Sequence, residues 1–202
     1  MPFFNYGSAE IEHLKKKDKK LAMAIDSIGP IEREVMPDLF TALIHSIVGQ
    51  QIATKAAATV WGRLQLQCGK ITPCSIAEAT AAEIQQCGLS MRKTLYIKGV
   101  GEAALQNELN IHEFPTLSDS EIIERLSALN GVGVWTAEML LIFSLERPDV
   151  VSWGDLAIRR GMMSLYGLNK LTRTQFDRYR KRYSPYGSVA SLYLWALAAR
   201  KR

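Results

Sequence analysis

Leu129-Asn130-Gly131-Val132-Gly133-Val134-Trp135-Thr136-Ala137, with Asp155 twenty residues beyond Trp135, is the stretch on which the fold turns. Its two glycines, one residue apart, sit between two apolar helical patterns, Ile122 to Leu129 and Trp135 to Leu145. Glycine accepts positive φ and lets another molecule approach bare backbone. Two helices joined by so tight a turn present amide N–H groups outward, and such groups hold an anion such as a phosphate. Alone, a G-x-G pair marks no more than an ordinary αα-hairpin. The neighbouring segments give it weight.

Working outward, the chain reads as helical from end to end. Apolar residues recur at helical spacing at Ile11, Leu14, Leu21, Ile25 and Ile28, and again from Leu39 to Ile47. Ser75 to Glu78, Thr80 to Glu83 and Ser118 to Glu121 have capping-box form. Gly29, Gly69, Gly88 and Gly167 fall just past apolar runs, where a left-handed terminating residue belongs. No period-two strand pattern or hairpin turn stands out, so the expectation is an all-α fold of about ten helices.

The 202 residues are enough to bury a sizeable core as one compact unit or two small lobes. No apolar run approaches the length of a membrane span, and the N-terminal residues have the wrong order for a signal peptide. Cys68, Cys74 and Cys87 are odd in number and unpaired in spacing, which fits reduced thiols in a cytoplasmic protein. Three cysteines also fall short of a four-cysteine iron–sulfur site. His13, His45 and His112 lack metal-ligand spacing and read as structural or surface residues. The net charge of +5 is uneven: from Arg159 to Arg202 eleven Lys or Arg face one acid, Asp177. That segment suits a partner with a phosphate backbone, though a solvated basic helix gives the same count. The lysines at 15 to 17, 19 and 20, diluted by Glu10, Glu12 and Asp18, read as a solvated face.

The order of four segments carries a resemblance. FTALIHSIVGQQIATKAAATVWGRL from Phe40, LNGVGVWTAEMLLIF, VSWGDLAIRRG and SPYGSVASLYLW together resemble the helix-hairpin-helix DNA glycosylase superfamily, in its 3-methyladenine DNA glycosylase II branch. The likeness runs from about Pro37 to Trp195. It implies a two-lobed helical bundle with the active site in a central cleft. One lobe is expected near residues 37–115 with the terminal helices, the other near 116–185 with the hairpin.

The resemblance also implies roles. Asp155 falls at the catalytic carboxylate, in Trp153-Gly154-Asp155, where relatives often carry a second Asp in place of Gly154. Breaking an N-glycosidic bond develops oxocarbenium character, which a fixed carboxylate stabilises while it orients or deprotonates water. The bland reading of Asp155 is a helix N-cap, and the two roles are compatible. Trp135 stands where bifunctional relatives have a Schiff-base lysine, so water is the expected nucleophile, with no strand cleavage. Trp195 falls where alkyl-base enzymes stack an aromatic on the extruded base, a contact that favours a cationic methylated purine. Core packing is the plainer reading of both tryptophans. Met139 and Leu156 replace tyrosines found in a well-studied member of the branch.

Gln51 and Ile52 are candidates for the side chain that fills the gap left by the flipped nucleotide, although a polar helix junction explains the loop as simply. The amides of Gly131, Gly133 and Thr136 are expected to hold one DNA phosphate. The carbonyls of Ser127, Leu129 and Val132 are expected to hold a monovalent cation, Na or K, with no other cofactor required. The implied activity is monofunctional excision of alkylated purines, 3-methyladenine and 7-methylguanine, from double-stranded DNA by a monomer. Rival readings are the same scaffold acting on hypoxanthine or uracil, and a non-catalytic DNA-binding module.

Overall fold

The computed structural model describes residues 2–200. Among them twelve α-helices follow in chain order: α1 (Ser8–Lys17), α2 (Lys19–Ile28), α3 (Leu39–Gly49), α4 (Thr54–Cys68), α5 (Pro73–Glu78), α6 (Ala81–Gln86), α7 (Met91–Leu105), α8 (Asp119–Ser127), α9 (Val134–Phe143), α10 (Leu156–Tyr166), α11 (Arg173–Tyr183) and α12 (Gly187–Ala199). A 3₁₀ segment, Ile111–Thr116, precedes α8. One antiparallel bridge between Phe3 and Glu34 is the β-structure among the described residues. The all-α expectation holds.

The helices start and stop where local chemistry directs. Thr80 with Glu83 and Ser118 with Glu121 form the reciprocal caps read from sequence. Ser75 does not begin a helix. Thr72 caps α5, Pro73 takes the first helical position, and Ser75 returns the bond to Thr72 as the third residue. Gly29, Gly69 and Gly167 end α2, α4 and α10 at positive φ, and Gly88, φ +106, follows α6.

The chain forms two compact units: Met1–Val35 with Leu141–Arg202, and Met36–Leu140. These bounds differ from those expected for the lobes. The hairpin belongs with the 36–140 segment, and the terminal helices complete the other unit. The cause lies in contacts between residues far apart in the chain. Buried Asp18 caps α2, accepts the Tyr166 hydroxyl at 2.6 Å and pairs with Arg182 at 3.0 Å. Tyr193 on α12 donates to the Gly29 carbonyl. A buried polar group needs partners, and these ties fasten the N-terminal helices to α10, α11 and α12.

Within that unit α10 and α12 cross with almost no gap. A Cβ added at Gly161 would fall 2.0 Å from the Leu194 carbonyl oxygen, so only glycine permits the approach. Trp195 adjoins this crossing, and Asp155 lies six residues back along α10, about 9 Å of helix axis. The 36–140 unit is built around Leu43, Ile44, Ile47, Leu64, Ile97 and Phe114, all essentially inaccessible. Its α8–α9 hairpin is anchored by buried Ile122 and Leu126.

Candidate functional site

In the 36–140 unit the hairpin turn and the loop after α3 form one structure. The backbone turns through Leu129, whose carbonyl accepts the Val132 amide at 3.1 Å. Gly131 stands at φ +86, and a Cβ there would lie 2.2 Å from the Tyr96 ring. Glycine is therefore required twice, for conformation and for packing. Gly133 is different. It is exposed, has ordinary φ, and meets nothing within 4 Å of an added Cβ, so only an approaching molecule would notice a side chain.

The first amide that α9 engages for itself is Ala137, bonded to the Gly133 carbonyl at 3.0 Å. The amides of Gly133 and Thr136 come before it, on the end of a helix suited to anions. Thr136 is buried, whereas Trp135 keeps 46% of its surface exposed. Core packing does not describe Trp135. Ser127 Oγ is buried without a hydrogen-bond partner in the same turn. Ser127, Leu129 and Val132, whose carbonyls are the expected cation ligands, run from the last residue of α8 to just before the start of α9.

The loop at Gln50 to Ala53 carries the other candidates. Gln51 is exposed at φ +55, and Ile52 is 40% exposed, which sets it apart from the core isoleucines. The bonds that hold this loop leave no signal in the local sequence. Gln50 Nε2 donates to the Gly131 carbonyl at 2.8 Å, and Lys93 Nζ donates to the carbonyls of Val48 and Gln50. A cation suits the C-terminal end of α3, and burial lowers the Lys93 pKa from its ordinary value. Gln50, Gln51, Ile52, Lys93, Tyr96 and Gly131 share a concavity of about 570 Å³. No local pattern marks Lys93 or Tyr96 in the sequence, because their partners are some forty residues away.

In the other unit Asp155 is the N-cap of α10. Its Oδ1 accepts the Ile158 amide at 2.8 Å, and only 7% of the residue is exposed. The cap fixes the carboxylate, and a helix N-terminus stabilises negative charge. Two residues earlier, Trp153 meets Phe176 edge-on and has the guanidinium groups of Arg159 and Arg173 at 5.0 and 5.3 Å from its ring centre. This cluster stiffens the approach to Asp155. Trp195 is half-buried, its ring 5.4 Å from that of Phe143 and inclined by 31°. Leu156 is exposed and Met139 partly so.

Part of the basic segment is engaged within the protein. Arg173 pairs with Asp177, Arg182 with Asp18, and Arg200 bonds to Ser27. Arg160, Lys170, Arg178, Arg180 and Lys181 remain exposed. His13 bonds the Ser184 carbonyl and His45 packs on Trp61, as structural residues do. The three cysteines are free thiols. Among the described residues no helix is long and apolar enough to cross a membrane.

A family model described as HhH-GPD superfamily base excision DNA repair protein matches residues 44–185. DNA-3-methyladenine glycosylase 1 of Schizosaccharomyces pombe is 34% identical, over 93% of this chain and 85% of that protein. The crystal structure of a DNA-3-methyladenine glycosidase from Bacillus halodurans matches with a TM-score of 0.88 at 35% identity, covering 98% of this chain and 93% of that one. The Schizosaccharomyces pombe 3-methyladenine DNA glycosylase in complex with abasic DNA matches at 0.79 and 31%, covering 93% and 95%. By the span of the family model and the extent of these similarities, the chain belongs to the HhH-GPD superfamily of base excision DNA repair proteins.

Proposed function

We propose that this chain is a monofunctional DNA glycosylase that removes alkylated purines, 3-methyladenine and 7-methylguanine, from double-stranded DNA after flipping the nucleotide. The observation that carries this reading is Asp155, a buried carboxylate locked at the start of α10 and followed along the same unit by Trp195. Relatives similar over almost their full length are 3-methyladenine glycosylases, which supports the substrate class.

The C1′–N bond breaks with its electron pair leaving on the base. An N3- or N7-alkylated purine already carries positive charge, so it departs neutral and needs little general-acid help. The sugar gains oxocarbenium character, which the Asp155 carboxylate stabilises. Water then adds to C1′ and gives its proton to Asp155, leaving an abasic site. Trp195 offers a π face that favours a cationic base over a neutral one. Gln51 and Ile52 fill the vacated stack, an exchange for an unstacking cost of a few kcal/mol. The amides of Gly131, Gly133 and Thr136 hold a backbone phosphate without reading sequence. The carbonyls of Ser127, Leu129 and Val132 would hold Na or K, which would brace the turn.

Trp135 has no amine, so no imine forms with the sugar. Purified protein incubated with duplexes that each hold one lesion tests the reading. It should release 3-methyladenine or 7-methylguanine, spare 8-oxoguanine and give no borohydride-trapped adduct. Release of hypoxanthine or uracil in place of methylated purines would overturn the substrate assignment, and a trapped adduct the water mechanism.

A further inference from the structure

The C-terminal end of α10 lies among cations that the proposed chemistry does not use. Lys17, Lys19, Lys20 and Arg182 line a concavity of about 410 Å³ together with Tyr166 and Tyr179. The two tyrosine rings stack at 3.6 Å, and Arg178 and Arg182 lie over Tyr179 at 5.3 and 5.1 Å. The lone carboxylate in this lining, Asp18, is fully engaged. Its Oδ1 takes the amides of Lys20 and Leu21, and its Oδ2 takes the Tyr166 hydroxyl and Arg182. Lys20 reaches the Tyr166 carbonyl. Lys17 and Lys19 are exposed and form no ion pair among the described residues.

We infer that this pocket is a second binding site for the phosphate backbone of duplex DNA, apart from the hairpin and from Asp155. The chemistry selects the partner. Protein interfaces centre on exposed aromatic and apolar anchors, but here both rings are buried beneath their own cations and offer almost no apolar surface. What remains is N–H donors and positive charge drawn from α1, α2 and α11, which suits a polyanion. Asp155 and Tyr166 stand at opposite ends of α10, eleven residues or about 16 Å apart along the axis. That span equals about five base-pair rises, so the pocket is separate from the residue proposed to meet the lesion and is assigned to flanking backbone. The inference rests on the glycosylase reading only for the identity of the polyanion.

The test is equilibrium binding of the full chain to an undamaged duplex of about 25 base pairs, between about 50 and 200 mM salt. Wild type is compared with Lys17→Ala/Lys19→Ala. The log–log slope should become shallower by about 1.8, so the loss between those salts falls by about tenfold. Single-turnover base release at saturating enzyme should stay as in wild type. A lower melting temperature in the alanine variant shifts the comparison to Lys17→Gln/Lys19→Gln, with the same slope expected. Coincident slopes overturn the inference. Titration with inorganic phosphate that binds wild type alone, with coincident DNA slopes, would also overturn it and assign the pocket to a free anion. A shallower slope in a protein that releases no base sustains the site and refutes the glycosylase reading alone.

Discussion

The side-chain amide of Gln50 donates to the backbone carbonyl of Gly131 across 2.8 Å, joining the loop after α3 to the turn between α8 and α9. Lys93 holds the same loop from below through the carbonyls of Val48 and Gln50. The segment that would enter the base stack and the turn that would hold a phosphate are thus one mechanical element. Gln50→Ala should cost about 1 kcal/mol of stability, the scale of one hydrogen bond. Its affinity for a lesion-containing duplex should fall several-fold. Wild-type affinity in this variant would mean that the turn keeps its shape unaided.

The two hairpin glycines should respond differently to substitution. Gly131→Ala combines a strained φ with a collision against Tyr96, so a stability loss of about 1–3 kcal/mol is expected in chemical denaturation. Gly133→Leu should melt like wild type and yet bind damaged and undamaged duplexes about tenfold more weakly, because its side chain meets only the approaching phosphate. Equal melting losses in both variants would remove Gly133 from the interface.

Local signals explain what was legible in the sequence. The caps at Thr80, Ser118 and Asp155 and the terminating glycines depend on three or four neighbouring residues, and the structure keeps them. Ser75 misled because Thr72 and Pro73, just upstream, make the stronger helix start. The division into units was not legible. It hinges on Asp18 meeting Tyr166 and Arg182, 148 and 164 residues away. For the same reason the Lys15–Lys20 run read as a diluted solvated face, although folding buries the diluting Asp18 beneath it. Lys93 and Tyr96 escaped notice because their roles exist only once α3 and α7 are packed.

Trp195 packs on Phe143, so its removal alters both the proposed base stack and a neighbouring ring. Trp195→Ala should reduce release of methylated purines more than it reduces binding to an abasic-site analogue, where no base is left to stack. The difference should correspond to about 0.5–2 kcal/mol. Trp195→Phe should recover part of it. Equal losses on both ligands would return Trp195 to a packing role.

Asp18 predicts a pH dependence. Burial pushes its carboxyl upward, but hydrogen bonds from Tyr166, Leu21 and Arg182 outweigh it and hold the group below its ordinary 3.8. A carboxyl depressed by folding adds stability that is complete above the ordinary value and is lost as pH falls through the folded one. Asp18→Asn should cost about 1–3 kcal/mol near pH 7. Its deficit should shrink steadily below pH 3.8. A deficit that stays constant down to about pH 2 would assign the cost to packing rather than charge.

If the carboxylate of Asp155 drives hydrolysis of an alkylated nucleotide, single-turnover release of 3-methyladenine by Asp155→Asn will report its loss. Asparagine preserves size and most of the capping of α10 while removing the charge. The predicted result is excision slowed by about 10²-fold or more, with affinity for an abasic-site duplex within a few-fold of wild type. Release at a near wild-type rate would exclude a catalytic role and leave Asp155 as the cap of a helix.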